Sequence, residues 1–438
     1  MNAPLVSVLM SAYNCEQFLP GAIESILRQS FRDLELIVIN DGSFDATEQI
    51  LEKYQHEDPR VRVIHQENVG LTESLNRGAG LARGKYIARM DADDIAPSDR
   101  LALQVGVLEK FPELGVLGGA IEIINASGMK IETCYFPTKD NEIRATLLRG
   151  TCPICHPAVV MRTRAFLSVG GYRKVVVHAE DYDLWLRIAD GFRLANLKTV
   201  VLKYRRHPAQ VSVRRFKQQS LSALAARIAA SSRNHGKPDP LECIEEITPT
   251  VLATLGASME RQYAAVVRGY LTCIRSMSDA GETAAAKDTT IAMLSSAEWV
   301  GAERSLRADF RLLWARMHWR ERRYLKSIAV AIHALLMRPM IAGRPLKPLL
   351  RRLRLLGPPV PWPHCESETQ TCGSRSLWLA SPPTHGSAPG GAVHPRLDAG
   401  PHKLQRHREG QKLQNRGGLF FGLYRRHLDP IDGPVRKR

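Results

Sequence analysis

Along the first 125 positions, two hydrophobic rhythms alternate. Short, almost uninterrupted apolar runs at 5–13 (LVSVLMSAY), 34–41 (LELIVIND), 61–66 (VRVIHQ), 86–90 (YIARM) and 115–124 (GVLGGAIEII) read as strands. Between them the apolar positions recur at helical spacing, over 22–29, from the DGSFDAT turn to Tyr54, and over about 71–83 and 98–110. Ser43 or Asp45 is the expected N-cap of the second helix, and Ser98 or Asp99 that of the last. Continuous apolar strands separated by helices predict an α/β fold: a mostly parallel, Rossmann-like sheet with flanking helices. In such sheets ligands sit beyond the carboxyl ends of the strands.

The pattern then changes twice. Residues 126–212 are less regular, holding CPICHPAVVMRTRAF, a GGY turn, the acidic helix AEDYDLWLRIAD and the strand-like TVVLKYRRHP. From 215 to about 357 the text is helical and rich in Ala, Leu and Arg, and beyond 358 it is rich in Pro, Gly, Ser and His. The expected organisation is therefore an α/β domain over 1–215, a basic helical region over 216–357 and a disordered tail over 358–438.

Charge refines this division. The net charge of +17 is confined to the second half: residues 1–210 carry 25 Lys and Arg against 26 Asp and Glu, whereas 211–360 carry 24 against 12. A global positive field is not an instrument of the first half. Eight cysteines without regular spacing do not make a disulfide framework. The amino terminus reads as a first strand rather than a signal peptide, and no apolar run reaches the eighteen or so residues of a spanning helix. The expected location is cytoplasmic, at most peripheral on the inner face of a membrane.

Three acidic clusters stand where strands or helices change: NDGS (40–43), MDADD (90–94) and AEDYDLW (179–185). Each has a plain structural reading, as a turn, a solvated strand end or a helix first turn. Their order on one α/β sheet favours chemistry instead. Asp91 and Asp93 in Asp-x-Asp suit a hard divalent cation, Mn²⁺ or Mg²⁺, whose remaining positions a diphosphate would fill.

The motifs VSVLMSAYN, NDGS, NVGLTESLNRGAGLARGKYIARMDADD, HPAVVMRTRAFLSVGGYR, EDYDLWLR and YRRHPAQVS, spanning about Leu5 to Ser212, resemble the family 2 glycosyltransferases of GT-A fold. The resemblance implies a nucleotide-sugar donor, a divalent metal and inversion at the anomeric carbon. It implies that Ser11, Ala12, Tyr13 and Asn14 line the nucleoside pocket and that Asp41 contacts the base. Asp93 would touch the metal, Asp91 the ribose and the metal shell, and His207 the metal or diphosphate. Asp181, or else Glu180, would be the general base. Three positions depart from the family pattern: Asn40 replaces an Asp, Ser11 a Pro or Thr, and SLNRG lacks an Arg that often precedes its Asn. By family habit the donor is a UDP-sugar, and the acceptor a glycan or lipid-linked sugar in surface polysaccharide or glycan synthesis. The alternative is an idle nucleotide-sugar-binding or membrane-associated scaffold.

The remaining signals are weaker. CPICH (152–156) matches a haem-attachment or dithiol pattern, and Asn125-Ala126-Ser127 an N-glycosylation triplet, without the surrounding context either needs. Residues 301–360, with 14 Lys and Arg against 3 Asp and Glu, read equally as a segment attracted to an anionic membrane surface and as a solvated helical face. Nucleic acid ranks last as a partner, because no stacking motif or reading helix accompanies the charge.

Overall fold

The computed structural model describes residues 3–206, 216–279 and 283–338, all within one compact unit that spans Met1–His364. His207 and the expected tail at 358–438 lie outside the described residues. Strands β1 (Val6–Ala12), β2 (Leu34–Asp41), β3 (Val61–Gln66) and β4 (Tyr86–Asp91) are parallel, in the order β3-β2-β1-β4. Helices α1 (Leu19–Leu27), α2 (Thr47–Glu57), α3 (Leu71–Gly80) and α4 (Arg100–Lys110) connect them and lead onward. The first four of the five expected strands and the four expected helices are therefore present, with ends moved by a few residues.

The next strand, β5 (Leu114–Ile124), does not pair with β4. The three-residue strand β7 (Val160–Arg162) lies between them and is antiparallel to both. β6 (Lys130–Cys134) extends the sheet antiparallel to β5, and β8 (Arg193–Arg205) runs parallel along the length of β5. The segment around β7 also holds α5 (Asp140–Leu148), α6 (Thr163–Ser168) and α7 (Glu180–Gly191).

Alternation along the strands sorts the side chains onto two faces. Val6, Val8 and Met10 pack with Ile23, Ile26, Leu51 and Leu101 from α1, α2 and α4. Leu9, Ile37, Ile39 and Ile87 face the opposite way, towards Leu75, Phe166 and Trp185. This second core continues without a break into α8 (Phe216–Asn234), α9 (Pro249–Thr254), α10 (Met259–Asp279), α11 (Thr283–Leu294), α12 (Ala297–Val300) and α13 (Arg304–Arg320). α14 (Tyr324–Met337) packs on α13. Among the described residues, no helix is long and apolar enough to cross a membrane.

The register of β1, β2 and β4 is tied at their amino ends. Ser7 Oγ donates to Glu35 Oε1 at 2.7 Å and accepts from the Gly84 N–H at 2.9 Å, while Arg62 and Arg83 both reach Glu35 Oε2 at 3.0 Å. Gly84 has no substitute here, because a Cβ would sit 2.5 Å from the Ser7 nitrogen. Burial alone would raise the Glu35 pKa; the bonds from Ser7, Arg83 and Arg62 outweigh it and hold the carboxyl below its ordinary value. A depressed carboxylate contributes stability above its unfolded pKa, about 4.3, and loses it as pH falls through the folded value. Glu35→Gln should therefore destabilise by about 1–3 kcal/mol at neutral pH. Its deficit in thermal midpoint against wild type should shrink on acidification below about pH 4.5.

Candidate active site

The carboxyl ends of β1, β2 and β4 lie side by side. Ser11 pairs in register with Ile39 and with Asp91, and Ala12 with Asn40, so the 11–14 segment separates Asp41 from the Asp91 cluster. The expected nucleoside-pocket residues and the expected metal pair thus share one rim.

On the β2 side, hydrogen bonds weld two loops together. Asn14, in left-handed backbone conformation at φ 48°, accepts from the Phe44 N–H at 2.9 Å, and its own N–H donates to Ser43 Oγ at 3.1 Å. Ser43 is therefore used by the neighbouring loop and does not cap α2. Asp45 accepts from the Thr47 N–H at 3.0 Å at the start of that helix. Gly42, at φ 72°, turns the chain where a Cβ would meet the Asn68 nitrogen at 2.7 Å. Asn40 accepts from the Ser43 N–H and bonds His65 Nδ1 at 3.1 Å. Asp41 is buried and accepts from Gln66 Nε2 and from the Val69 and Gly70 N–H groups at 2.8–2.9 Å. It fixes the loop that enters α3. Tyr13 and Phe44 stand out from this rim edge to face, their ring centroids 6.1 Å apart and Phe44 83% exposed.

On the β4 side, carboxylate oxygens of Asp91, Asp93 and Asp94 all lie within 4.8 Å of one another. Two unit charges at that distance repel by about 3 kcal/mol at an effective dielectric of about 20. Two arginines offset this. Arg89, two residues earlier on the same strand face and 2% exposed, is ion-paired with Asp91. Arg205, at the end of β8, donates its backbone N–H to Asp94 Oδ1 at 2.7 Å and its Nε to the Asp93 carbonyl at 2.7 Å. The Arg205 Nη1 grips the Asn125 and Ala126 carbonyls, and its guanidinium lies 4.7 Å from the Phe18 ring centroid. β8 thereby clamps the acidic turn, helped by paired backbone bonds between Ile95 and Lys203.

The compensation is incomplete. Burial lifts Asp91 above the ordinary carboxylate range although Arg89 opposes it, and Asp94 is pushed well above by burial and by Asp91 and Asp93. Asp94 Oδ2 is buried with no hydrogen-bond partner among the described residues. All three donors are hard oxygens. A divalent cation with substrate oxygens in its remaining positions fits this set.

The third acidic cluster opens a helix. Glu180 and Asp181 open α7, where the helix dipole favours negative charge. Burial nevertheless raises both, Glu180 to about 7 with Asp181 adding to the rise, and Asp181 against the Tyr182 N–H and Arg89. Asp181 Oδ1 accepts from the Tyr182 N–H at 2.7 Å, and Cys152 Sγ lies 3.9 Å from Oδ2. Asp91 and Arg89 both lie near enough to influence the charge of this pair.

Its floor is set by a relay that the sequence reading did not assign. Asn76, from SLNRG, exchanges two bonds at 2.9 Å with the backbone of Tyr172, from GGY. The Tyr172 hydroxyl meets His156 Nε2 at 2.7 Å. His156 is held well below its ordinary pKa by burial and by Arg89, so it is neutral. The CPICH segment is thus part of the site wall. Arg89 and Arg205 were also unassigned, although Arg89 is a charge inside an apolar run, at the alternation that places it beside Asp91. A separate cavity of about 400 Å³ at the far end of α7 is ringed by Arg144, Arg164 and Arg193, each already held by Asp140, the Pro112 carbonyl or Glu113.

Carboxylates gathered at the strand ends of an open α/β sheet stand where such folds bind their ligands. The glycosyl transferase family 2 model matches residues 7–170. An uncharacterized glycosyltransferase of Haemophilus influenzae is 37% identical over 220 residues, covering 48% of this chain and 68% of the relative. The chondroitin synthase of Escherichia coli is 32% identical over 188 residues, 43% of this chain and 27% of that protein. A solved mannosyltransferase from Pyrobaculum calidifontis, in complex with GDP-Man and Mn²⁺, aligns over 76% of this chain and 88% of its own at 20% identity, with a TM-score of 0.43. The chain belongs to glycosyl transferase family 2, and its fold is the GT-A fold.

Removing the central cation should expose how much the acidic floor depends on it. Arg89→Met is expected to cost about 3–5 kcal/mol, since it leaves buried carboxylates uncompensated. The double variant Arg89→Met/Asp91→Asn should regain part of that loss in thermal unfolding. A double variant no more stable than Arg89→Met alone would contradict this assignment.

Proposed function

We propose that this transferase is inverting and metal-dependent, moving a sugar from a nucleoside-diphosphate donor, UDP-linked by preference, to a hydroxyl of a glycan or lipid-linked acceptor. The observation that carries the reading is the cluster of Asp91, Asp93 and Asp94 at the end of β4 beside the buried Arg89, with Glu180 and Asp181 near enough to feel the same charges. One group suits a cation that would carry the donor's diphosphate and the other a proton, which is the division of labour that a single displacement requires.

In this reading Ser11, Ala12, Tyr13 and Asn14 line the nucleoside pocket, and Asp41 orders its wall and contacts the base. Asp91 and Asp93 would hold Mn²⁺ or Mg²⁺, with Asp91 also meeting the ribose. When bound, the cation supplies Lewis-acid stabilisation of the departing diphosphate. Asp181 accepts the proton of the attacking hydroxyl, and Glu180, beside it, shares the charge of the pair. Buried surroundings suit such a base, because they raise its proton affinity towards working pH. Residues 1–215 form the catalytic part in this scheme and 216–357 a basic helical part. The chondroitin synthase among the relatives supports placing the activity in surface polysaccharide or glycan assembly. The basic C-terminal half supports work at an anionic membrane surface, on its cytoplasmic side.

The test is nucleotide release from a panel of UDP-, GDP- and dTDP-sugars with Mn²⁺, Mg²⁺ or EDTA. Metal-dependent release from one donor, lost in Asp93→Asn, is expected; metal-independent release, or release unchanged in Asp93→Asn, would contradict the metal assignment. Asp181→Asn should lower transfer to an acceptor by about 10²–10⁴-fold while donor binding persists. Activity should fall as pH drops through about 7, where the Glu180/Asp181 pair takes up a proton, and Glu180→Gln should displace that limb.

A further inference from the structure

We propose that the outward face of α14 is a docking surface for an anionic lipid bilayer. The helix is about 21 Å long by its 1.5 Å rise per residue. Leu325, Ile328, Ile332 and Leu336 fall on one stripe, exposed by 85, 48, 52 and 70%. The opposite side, with Ser327 and Ala334, is buried, and Ser327 Oγ donates to the Ala315 carbonyl on α13 at 2.7 Å. Further ties hold the far end: Arg304 bonds the Leu336 carbonyl at 3.2 Å, and Arg338 lies 3.7 Å from Asp309. The stripe is therefore presented by a fixed helix. At its start, Trp319 and Tyr324 are about half exposed and touch edge to face with centroids 4.9 Å apart. Such rings favour the level of lipid headgroups.

Charge selects the occupant. Residues 322–365 contain nine Lys and Arg and no Asp or Glu. On the surface around the stripe, Arg322, Arg323 and Lys326 are exposed. A second copy would bring the same charge to the same face. The following segment of this chain is basic as well, with 12 Lys and Arg against 6 Asp and Glu beyond residue 360, so neither supplies a complementary surface. Nucleic acid would meet the cations but gains nothing from four aliphatic side chains. A bilayer with anionic headgroups satisfies both, taking the aliphatic stripe into its acyl boundary and the cations at its surface.

The proposal rests on the reading of the chain as a transferase working at a membrane surface, and the two can fail separately. The full chain is floated with vesicles of phosphatidylcholine alone or with about one-third phosphatidylglycerol, while donor turnover is measured in the same preparations. Binding to the anionic vesicles is expected, weakened by salt and at least about tenfold weaker on the neutral ones. Ile328→Asp/Ile332→Asp should lose about tenfold in binding or more. Its thermal midpoint and donor turnover without vesicles should stay unchanged. Wild type that ignores the anionic vesicles overturns the proposal, as does a variant that binds as well as wild type. So does a wild-type dimer that the variant converts to monomers, since a second copy would then own the face. Vesicle binding without turnover counts against the transferase reading alone, and turnover without vesicle binding against the docking face alone.

Discussion

The buried ion pair between Arg89 and Asp91 is the constraint around which the site is arranged. A strand that ends in several carboxylates is a poor way to finish a fold, because each charge loses water and repels its neighbours. Placing a guanidinium two residues earlier on the same face puts a fixed positive charge beneath the cluster. It also puts that charge within reach of the α7 carboxylates and keeps His156 neutral. The balance stays short of full compensation, as the raised Asp91, Asp94 and Glu180 show. That residual deficit is the ground for proposing a cation there.

The scaffold serves this balance from both directions. At the amino ends of β1, β2 and β4 the Ser7–Glu35–Gly84 lock sets the register, which in turn fixes how far Asp41 and Asp91 project. At the carboxyl ends β8 returns to hold the Asp93–Asp94 turn through Arg205. β7, only three residues long, separates β4 from β5 and brings the 152–156 segment against the floor. Asn76 and Tyr172 then join α3 to the approach of α7, so two distant motifs act as one support.

Much of this could be seen in the sequence, and the reasons for the rest are physical. Strands β1, β2, β4 and β5 announce themselves because burial on both faces demands continuous apolar runs, whereas β3, at the sheet edge, shows only a short Val-x-Val-Ile pattern. β7 was hidden because three residues carry no period, and its neighbours read as irregular text. β6 is an exposed edge with little apolar signal. Ser43 or Asp45 was expected to cap α2, but the N-cap position falls on Ala46, and tertiary contacts commit Ser43 to Asn14. The role of Arg205 was masked by His207, two residues on, to which the family pattern drew attention and which lies outside the described residues. The basic C-terminal composition offered two readings at once, and only the placement of α14 separates an outward aliphatic stripe from a packed one.

The central claim is that one incompletely compensated group of carboxylates binds a cation together with a nucleoside diphosphate. Titrating Mn²⁺ with UDP into the protein by calorimetry near pH 6, in buffers of different ionisation enthalpy, counts the protons exchanged. Because Asp91 and Asp94 sit above the ordinary carboxylate range, the account predicts Mn²⁺ binding that depends on UDP and releases protons to the buffer. Binding without proton release, or none with UDP present, would contradict it.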